Sequence, residues 1–196
     1  MADISIEQIK KLKELSGVGL TDAKNALIEA KGDFDKALEA MRKKGLTKAE
    51  KRGDRETREG LVEQYVHDGR IGAIVEVNCE TSFVAKTDEF KTLAHNIAMQ
   101  VASMAPLYVS EDDIPEKDRK EKMKELEANF KGPEKMKEQI LGGQMKKAFA
   151  DKVLLSQAYI LDDTKTVEQY IKDCIAKTGE NITIRQFKRI ELGVTE

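Results

Sequence analysis

Leu61-Val62-Glu63-Gln64-Tyr65-Val66-His67-Asp68-Gly69-Arg70-Ile71-Gly72-Ala73-Ile74-Val75-Glu76-Val77-Asn78 decides the fold. Ile71, Ala73, Val75 and Val77 alternate with Gly72, Ile74, Glu76 and Asn78, the period-two pattern of a strand with one face on a core. A second strand pattern fills 61–66. Asp68-Gly69 stands between the two, and the favoured hairpin turn needs positive φ at both central positions. The segment therefore reads as an antiparallel hairpin. Two strands alone are marginal in water. Ile182-Thr183-Ile184-Arg185-Gln186-Phe187-Lys188-Arg189-Ile190-Glu191-Leu192 is the other convincing strand pattern, so the chain is expected to return and add a third strand to the same sheet.

Helical patterns surround these strands. Phe90, Leu93, Ala94, Ile97, Ala98, Val101 and Met104 make one apolar stripe that suits a helix lying on the sheet, ended by Pro106. Residues 115–130 are so charged that they predict an exposed helix, and Pro133 suits the first position of the next, which Gly142-Gly143 weakens. Thr166-Val167-Glu168-Gln169 caps a last helix bearing Val167, Tyr170, Ile171, Cys174 and Ile175, closed by Gly179. At the amino end, Ser5-Ile6-Glu7-Gln8 is a capping box opening a helix that Gly17 ends. Thr21-Asp22 is expected to cap a second helix, and Gly32-Asp33 to stop it and cap a third that ends at Gly45. The expected class is α+β: a three-helix module over 1–46, similar to the ubiquitin-associated type, a charged linker or helix over 47–59, and a core of helices on a small antiparallel sheet over 60–196, with strands near 61–66, 70–78 and 182–192.

Composition narrows the function. Charged residues are 36% and apolar residues 40% of 196, a soluble balance rather than a disordered one. No stretch approaches the roughly 20 apolar residues of a membrane span, and no secretory or transit signal opens the chain, so no membrane role and a cytosolic location are expected. A net charge of -2 argues against direct nucleic-acid binding, which draws on a basic excess. The basic run from Arg42 to Arg58 is interleaved with Glu50, Asp54 and Glu56, as on a solvated segment. Cys79 and Cys174 have no paired spacing, so neither a disulfide framework nor a metal site is expected. His67 and His95 are the histidines, and nothing pairs either with a nucleophile. Gly17-Val18-Gly19 lacks the strand and third glycine of a dinucleotide loop. No enzyme activity and no cofactor are expected; the pattern is that of an interaction protein.

The connection Asn78-Cys79-Glu80-Thr81-Ser82-Phe83-Val84-Ala85-Lys86 carries an aromatic residue just where strand gives way to helix. Its ring is either tucked under the helix or held outward for a partner. This segment resembles the Asn-Cys-Glu-Thr-Asp-Phe-Val-Ala signature of the bacterial elongation factor Ts family. Ile9 to Leu27 is similar to that family's amino-terminal block, and Gly179-Glu180-Asn181-Ile182 to a third block near the end. The resemblance implies a nucleotide-exchange factor for the GTPase elongation factor Tu, bound in its GDP or nucleotide-free form. It implies that Thr81, Ser82, Phe83 and Val84 form a wedge acting on the partner's Mg site, and that Lys13, Val18, Gly19, Leu20 and Thr21 bind the partner. Ser82 departs from the family's aspartate: it keeps the size and can still cap a helix amide, but loses the charge. The chain has room for one half of the core found in longer members, which makes a homodimer the expectation from the shorter ones. The alternative function is an adaptor that uses Val18-Gly19-Leu20 of the three-helix module to bind a ubiquitin-like or other protein.

Overall fold

The computed structural model describes residues 4–16, 19–133 and 136–194. Its elements run α1 (Ile6–Ser16), α2 (Leu20–Glu29), α3 (Phe34–Glu50), β1 (Glu59–His67), β2 (Ile71–Cys79), α4 (Ser82–Ala85) and α5 (Asp88–Met104). They continue through α6 (Glu116–Ala128), α7 (Lys137–Phe149), β3 (Ala158–Tyr159), β4 (Asp162–Thr166), α8 (Val167–Thr178) and β5 (Ile182–Glu191). This is an α+β architecture. The main sheet has the order β1-β2-β5, antiparallel throughout.

The hairpin forms as its sequence predicts. Asp68 and Gly69 take φ of 49° and 65°, and Leu61 faces Val77 while Tyr65 faces Ala73. Between Glu76 and Val77 the register with β5 slips, so that Gln186 pairs with Glu76 and Ile184 with Val77. Arg185 is left as the extra residue of a bulge. Ala73, Val75, Val77 and Cys79 form the buried face and meet Phe90, Leu93, Ala94, Ile97 and Val101 of α5, with Ile171, Cys174 and Ile175 of α8 closing the same core. Full burial of an apolar side chain such as Phe90 or Leu93 contributes about 1.5 to 3 kcal/mol. Met104, expected in the stripe, is 44% exposed, because the helix ends beside it, with Ala105 left-handed at φ 45° ahead of Pro106.

The amino-terminal helices make a separate cluster of Leu12, Ala23, Ala26, Leu27, Ala37 and Met41. Gln8 N–H donates to Ser5 Oγ at 3.1 Å and Ser5 N–H to Gln8 Oε1 at 3.0 Å, the reciprocal capping box. Asp33 caps α3 by accepting from Lys36 N–H. Two expectations are corrected here. The second helix starts at Leu20, ahead of Thr21-Asp22, with Gly19 as its N-cap and no side-chain cap bond; Asp22 instead receives Lys44 Nζ at 2.8 Å. The third helix does not stop at Gly45 but continues to Glu50, because Ala49 buries itself in the main core.

Other departures lie in the excursion between α5 and α8. Gly142 and Gly143 sit inside α7, which starts at Lys137 rather than at Pro133, whose carbonyl accepts Met136 N–H. No residue of α6 is buried, as its charge predicts. The β3–β4 hairpin was not foreseen; it is anchored from α5 by buried Gln100, which accepts from Ile160 N–H and donates to Ala158 O and Gln157 Oε1. Among the described residues, no helix is long and apolar enough to cross a membrane.

Candidate functional site

The end of β2 turns sharply into α4, a single helical turn, and Thr87 then caps α5 by accepting from Phe90 N–H at 3.2 Å. Thr87 Oγ1 also donates to Val84 O at 2.8 Å, which fixes the far end of the turn. One turn cannot bury all its side chains. Ala85 is buried and Val84 leans on the core, so Phe83 must face away from both. It is 84% exposed, the most exposed large apolar side chain among the described residues. Of the two placements open to the ring from sequence, the outward one is adopted. The N-cap of α4 is Thr81, not Ser82, which is the first helical residue.

The near end of the turn is held by residues a hundred positions away. Thr81 N–H donates to Glu180 Oε2 at 2.9 Å, and Thr81 Oγ1 donates to Glu180 Oε1 at 2.6 Å. The Thr81 hydroxyl makes no capping bond to its own helix; it is tied instead to the entry of β5. Next to it, Asn181 N–H donates to Glu80 Oε1 at 2.7 Å. Two consecutive residues of the β2 exit thus exchange bonds with two consecutive residues of the β5 entry. Asn181 Nδ2 reaches further, donating to Gly53 O at 3.2 Å and Arg55 O at 2.8 Å. The Asn181 N–H, then Arg55, hold the Glu80 carboxyl below the usual range. Cys79 is fully buried, its Sγ donates to Thr81 O, and burial pushes its thiol up to about 11.

Of the amino-terminal residues, Lys13, Gly19, Leu20 and Thr21 are exposed, and Val18 lies outside the described residues. Leu20 is 54% exposed at the start of α2, so it is not a core residue of the module. The histidines hold surface positions: His67 Nδ1 lies 3.1 Å from Tyr65 Oη, and His95 Nδ1 lies 3.6 Å from Glu63. Among the described residues, no three His, Cys, Asp or Glu side chains are arranged to hold a metal ion. Sequence reading named the wedge segment but assigned no role to Glu80, Glu180 and Asn181. The signal for them was the presence of two family blocks, whose contact only the fold reveals.

Residues 7–193 match the family model described as Elongation factor TS. The chain is 50% identical over 193 residues to Elongation factor Ts of Thermotoga maritima, covering 97% of each. It is 46% identical over 194 residues to the protein of that name from Syntrophomonas wolfei, covering 97% of this chain and 91% of the relative. With Elongation factor Ts of Rippkaea orientalis it shares 49% over 198 residues, covering 98% and 80%. Matches of this extent leave no element of the fold outside the likeness: the chain belongs to the elongation factor Ts family.

Proposed function

We propose that the protein is a guanine-nucleotide exchange factor in translation elongation, which binds GDP-bound elongation factor Tu and promotes GDP release by disturbing the partner's Mg-phosphate site. The observation that carries this reading is Phe83, an apolar ring 84% exposed on a turn tied down at both ends. A GTPase holds its nucleotide through a phosphate loop and a Mg²⁺ ion, and a ring wedged beside them favours a shape that holds the metal poorly. No bond is made or broken. The coupling is mutual, so GDP weakens the factor's binding by the same factor that the factor weakens GDP. Each tenfold requires about 1.4 kcal/mol of differential contact. Burying one phenylalanine supplies about 1.5 to 3 kcal/mol, one to two powers of ten. Lys13, Val18, Gly19, Leu20 and Thr21 supply further contact in this reading, and the exposure of Leu20 supports it.

The test is stopped-flow release of fluorescent GDP from elongation factor Tu. Phe83→Ala is expected to leave the fold intact and to slow release by about ten- to a hundredfold. Release at wild-type speed would remove the wedge from the mechanism.

The outer face of the sheet supports the expected homodimer. Val62, Val66, Ile74 and Ile190 are 63%, 60%, 47% and 74% exposed on neighbouring strands, and a group of exposed apolar side chains on one sheet face is of the sort that marks an interface. Sedimentation equilibrium of wild type against Ile74→Lys checks it, a lone monomer at high concentration being the contrary result.

A further inference from the structure

We infer that Glu180 is a positioning residue for the exchange wedge: its carboxylate, from the far end of the chain, sets the angle at which Phe83 is presented to the partner. This rests on the wedge reading above and goes beyond it, because Glu180 lies outside the wedge segment and needs no contact with the partner.

The geometry is specific. Both oxygens of one carboxylate are used, one on the main-chain N–H of Thr81 and one on its hydroxyl. A residue gripped at both backbone and side chain has its rotation fixed. Thr81 is the N-cap of α4, at φ -132° and ψ 152°, so its orientation directs the axis of the single turn that follows. Phe83 stands two residues beyond. The turn has one internal bond from its cap, Ala85 N–H to Thr81 O at 3.3 Å, and a helix of this length does not hold its own shape in water. The order must come from outside. Glu180 supplies it from the rigid side, since Gly179, at φ 79°, closes α8 immediately before it and Ile182 opens β5 just after. The neighbouring pair Glu80 and Asn181 fixes the register of the two segments. Glu180 therefore acts through Thr81 as a stop that keeps the ring at one angle.

Positioning predicts a pattern that simple destabilisation does not. A wedge must reach its target in the transition state for release, and a loosely held ring loses rate at saturating factor more than it loses binding. Glu180→Ala removes both acceptors and is expected to slow saturated GDP release by about tenfold, with factor affinity changed less than about threefold. Thr81→Val keeps the main-chain bond and loses the hydroxyl, and an intermediate rate is expected. Glu180→Gln is the rescue variant: its Oε1 still accepts Thr81 N–H, and its Nε2 donates to the hydroxyl, which now accepts. At least half the wild-type rate is expected for it.

The experiment measures fluorescent-GDP release from elongation factor Tu with full-length wild type, Phe83→Ala, Glu180→Ala, Glu180→Gln and Thr81→Val, alongside amide hydrogen exchange. Faster exchange at Ala85 and Thr87 in Glu180→Ala, with the Val75 and Val77 amides still protected, together with slow release and rescue by Glu180→Gln, supports the proposal. Slow release in Phe83→Ala with wild-type release in Glu180→Ala overturns the positioning role and leaves the wedge standing. Wild-type release in Phe83→Ala overturns both. Loss of protection across the sheet in Glu180→Ala, or a Glu180→Gln as slow as Glu180→Ala, also overturns it, the first by making the residue merely structural.

Discussion

Gly45 of α3 and Ala176 of α8 touch where the amino-terminal helices meet the core: a Cβ added at Gly45 would stand 3.1 Å from Ala176 Cβ. The pair is small because the helices pass so close, and the closeness lets Ala49 reach the main core one turn later. Glycine inside a helix costs about 1 kcal/mol relative to alanine, a cost the contact offsets. Gly45→Leu should destabilise the protein by about 1 to 3 kcal/mol, as overpacking does. Urea unfolding checks it, and the swapped pair Gly45→Ala with Ala176→Gly, which keeps one methyl group at the contact, should stay close to wild type in stability.

A second glycine has no room to change. Gly60 adopts φ 155° opposite Asn78, and a Cβ there would lie 2.1 Å from Val77 O. Gly60→Ala should therefore push β1 off β2 at the end of the sheet that leads into α4. The expected loss is about 2 to 4 kcal/mol, and circular dichroism melts that leave the variant as stable as wild type would contradict the close approach.

Acid should loosen the grip of β5 on the β2 exit. The Glu80 carboxyl is held below its ordinary value of 4.5, chiefly by Asn181 N–H and then by Arg55. A depressed carboxylate contributes stability fully above its unfolded value, and loses that contribution as pH falls through the folded one. Wild type should exceed Glu80→Gln in melting temperature by a constant margin above pH 4.5. The margin should shrink only in stronger acid, and thermal melts across that range measure it.

Both thiols are shielded. Burial pushes Cys79 up to about 11 and Cys174 up to about 12, and each side chain lies inside the core. A thiolate is the reacting species. Native protein near pH 8 should leave an aromatic disulfide reagent almost unconsumed, with both cysteines reacting on addition of urea. Rapid labelling of the native chain would show the core open around one of them.

Ser82 stands where the family signature has aspartate, at the first residue of α4. If the partner surface is complementary to that charge, Ser82→Asp should speed GDP release by up to about tenfold, the value of about 1.4 kcal/mol. An unchanged rate would mean that exchange does not draw on a carboxylate at this position.

Local chemistry made much of this readable. The Asp68-Gly69 turn, the Ser5 and Gln8 cap, and Thr166 as N-cap of α8, accepting Gln169 N–H at 3.2 Å, are decided by residues within a few positions of one another. What escaped was decided at a distance. Gly45 reads as a helix stop until Ala176 is placed beside it. The two residues of β3 show no alternation, and the hairpin is held by Gln100, some 60 positions earlier. At the site, the sequence marked Phe83 as unusual because an aromatic follows a strand end. It gave no reason to look to Glu180, 99 residues beyond Thr81.

The same distance orders events when the chain folds. β1 and β2 close through a tight turn, whereas β2 and β5 are joined by contacts such as Gln186 to Glu76, 110 residues apart. Closing so long a loop is entropically costly and comes late. Until β5 docks, the connection that carries Phe83 is expected to lack its bonds from Glu180. On the proposed reading of Phe83, competence to act on a partner should appear on refolding only with the slowest phase.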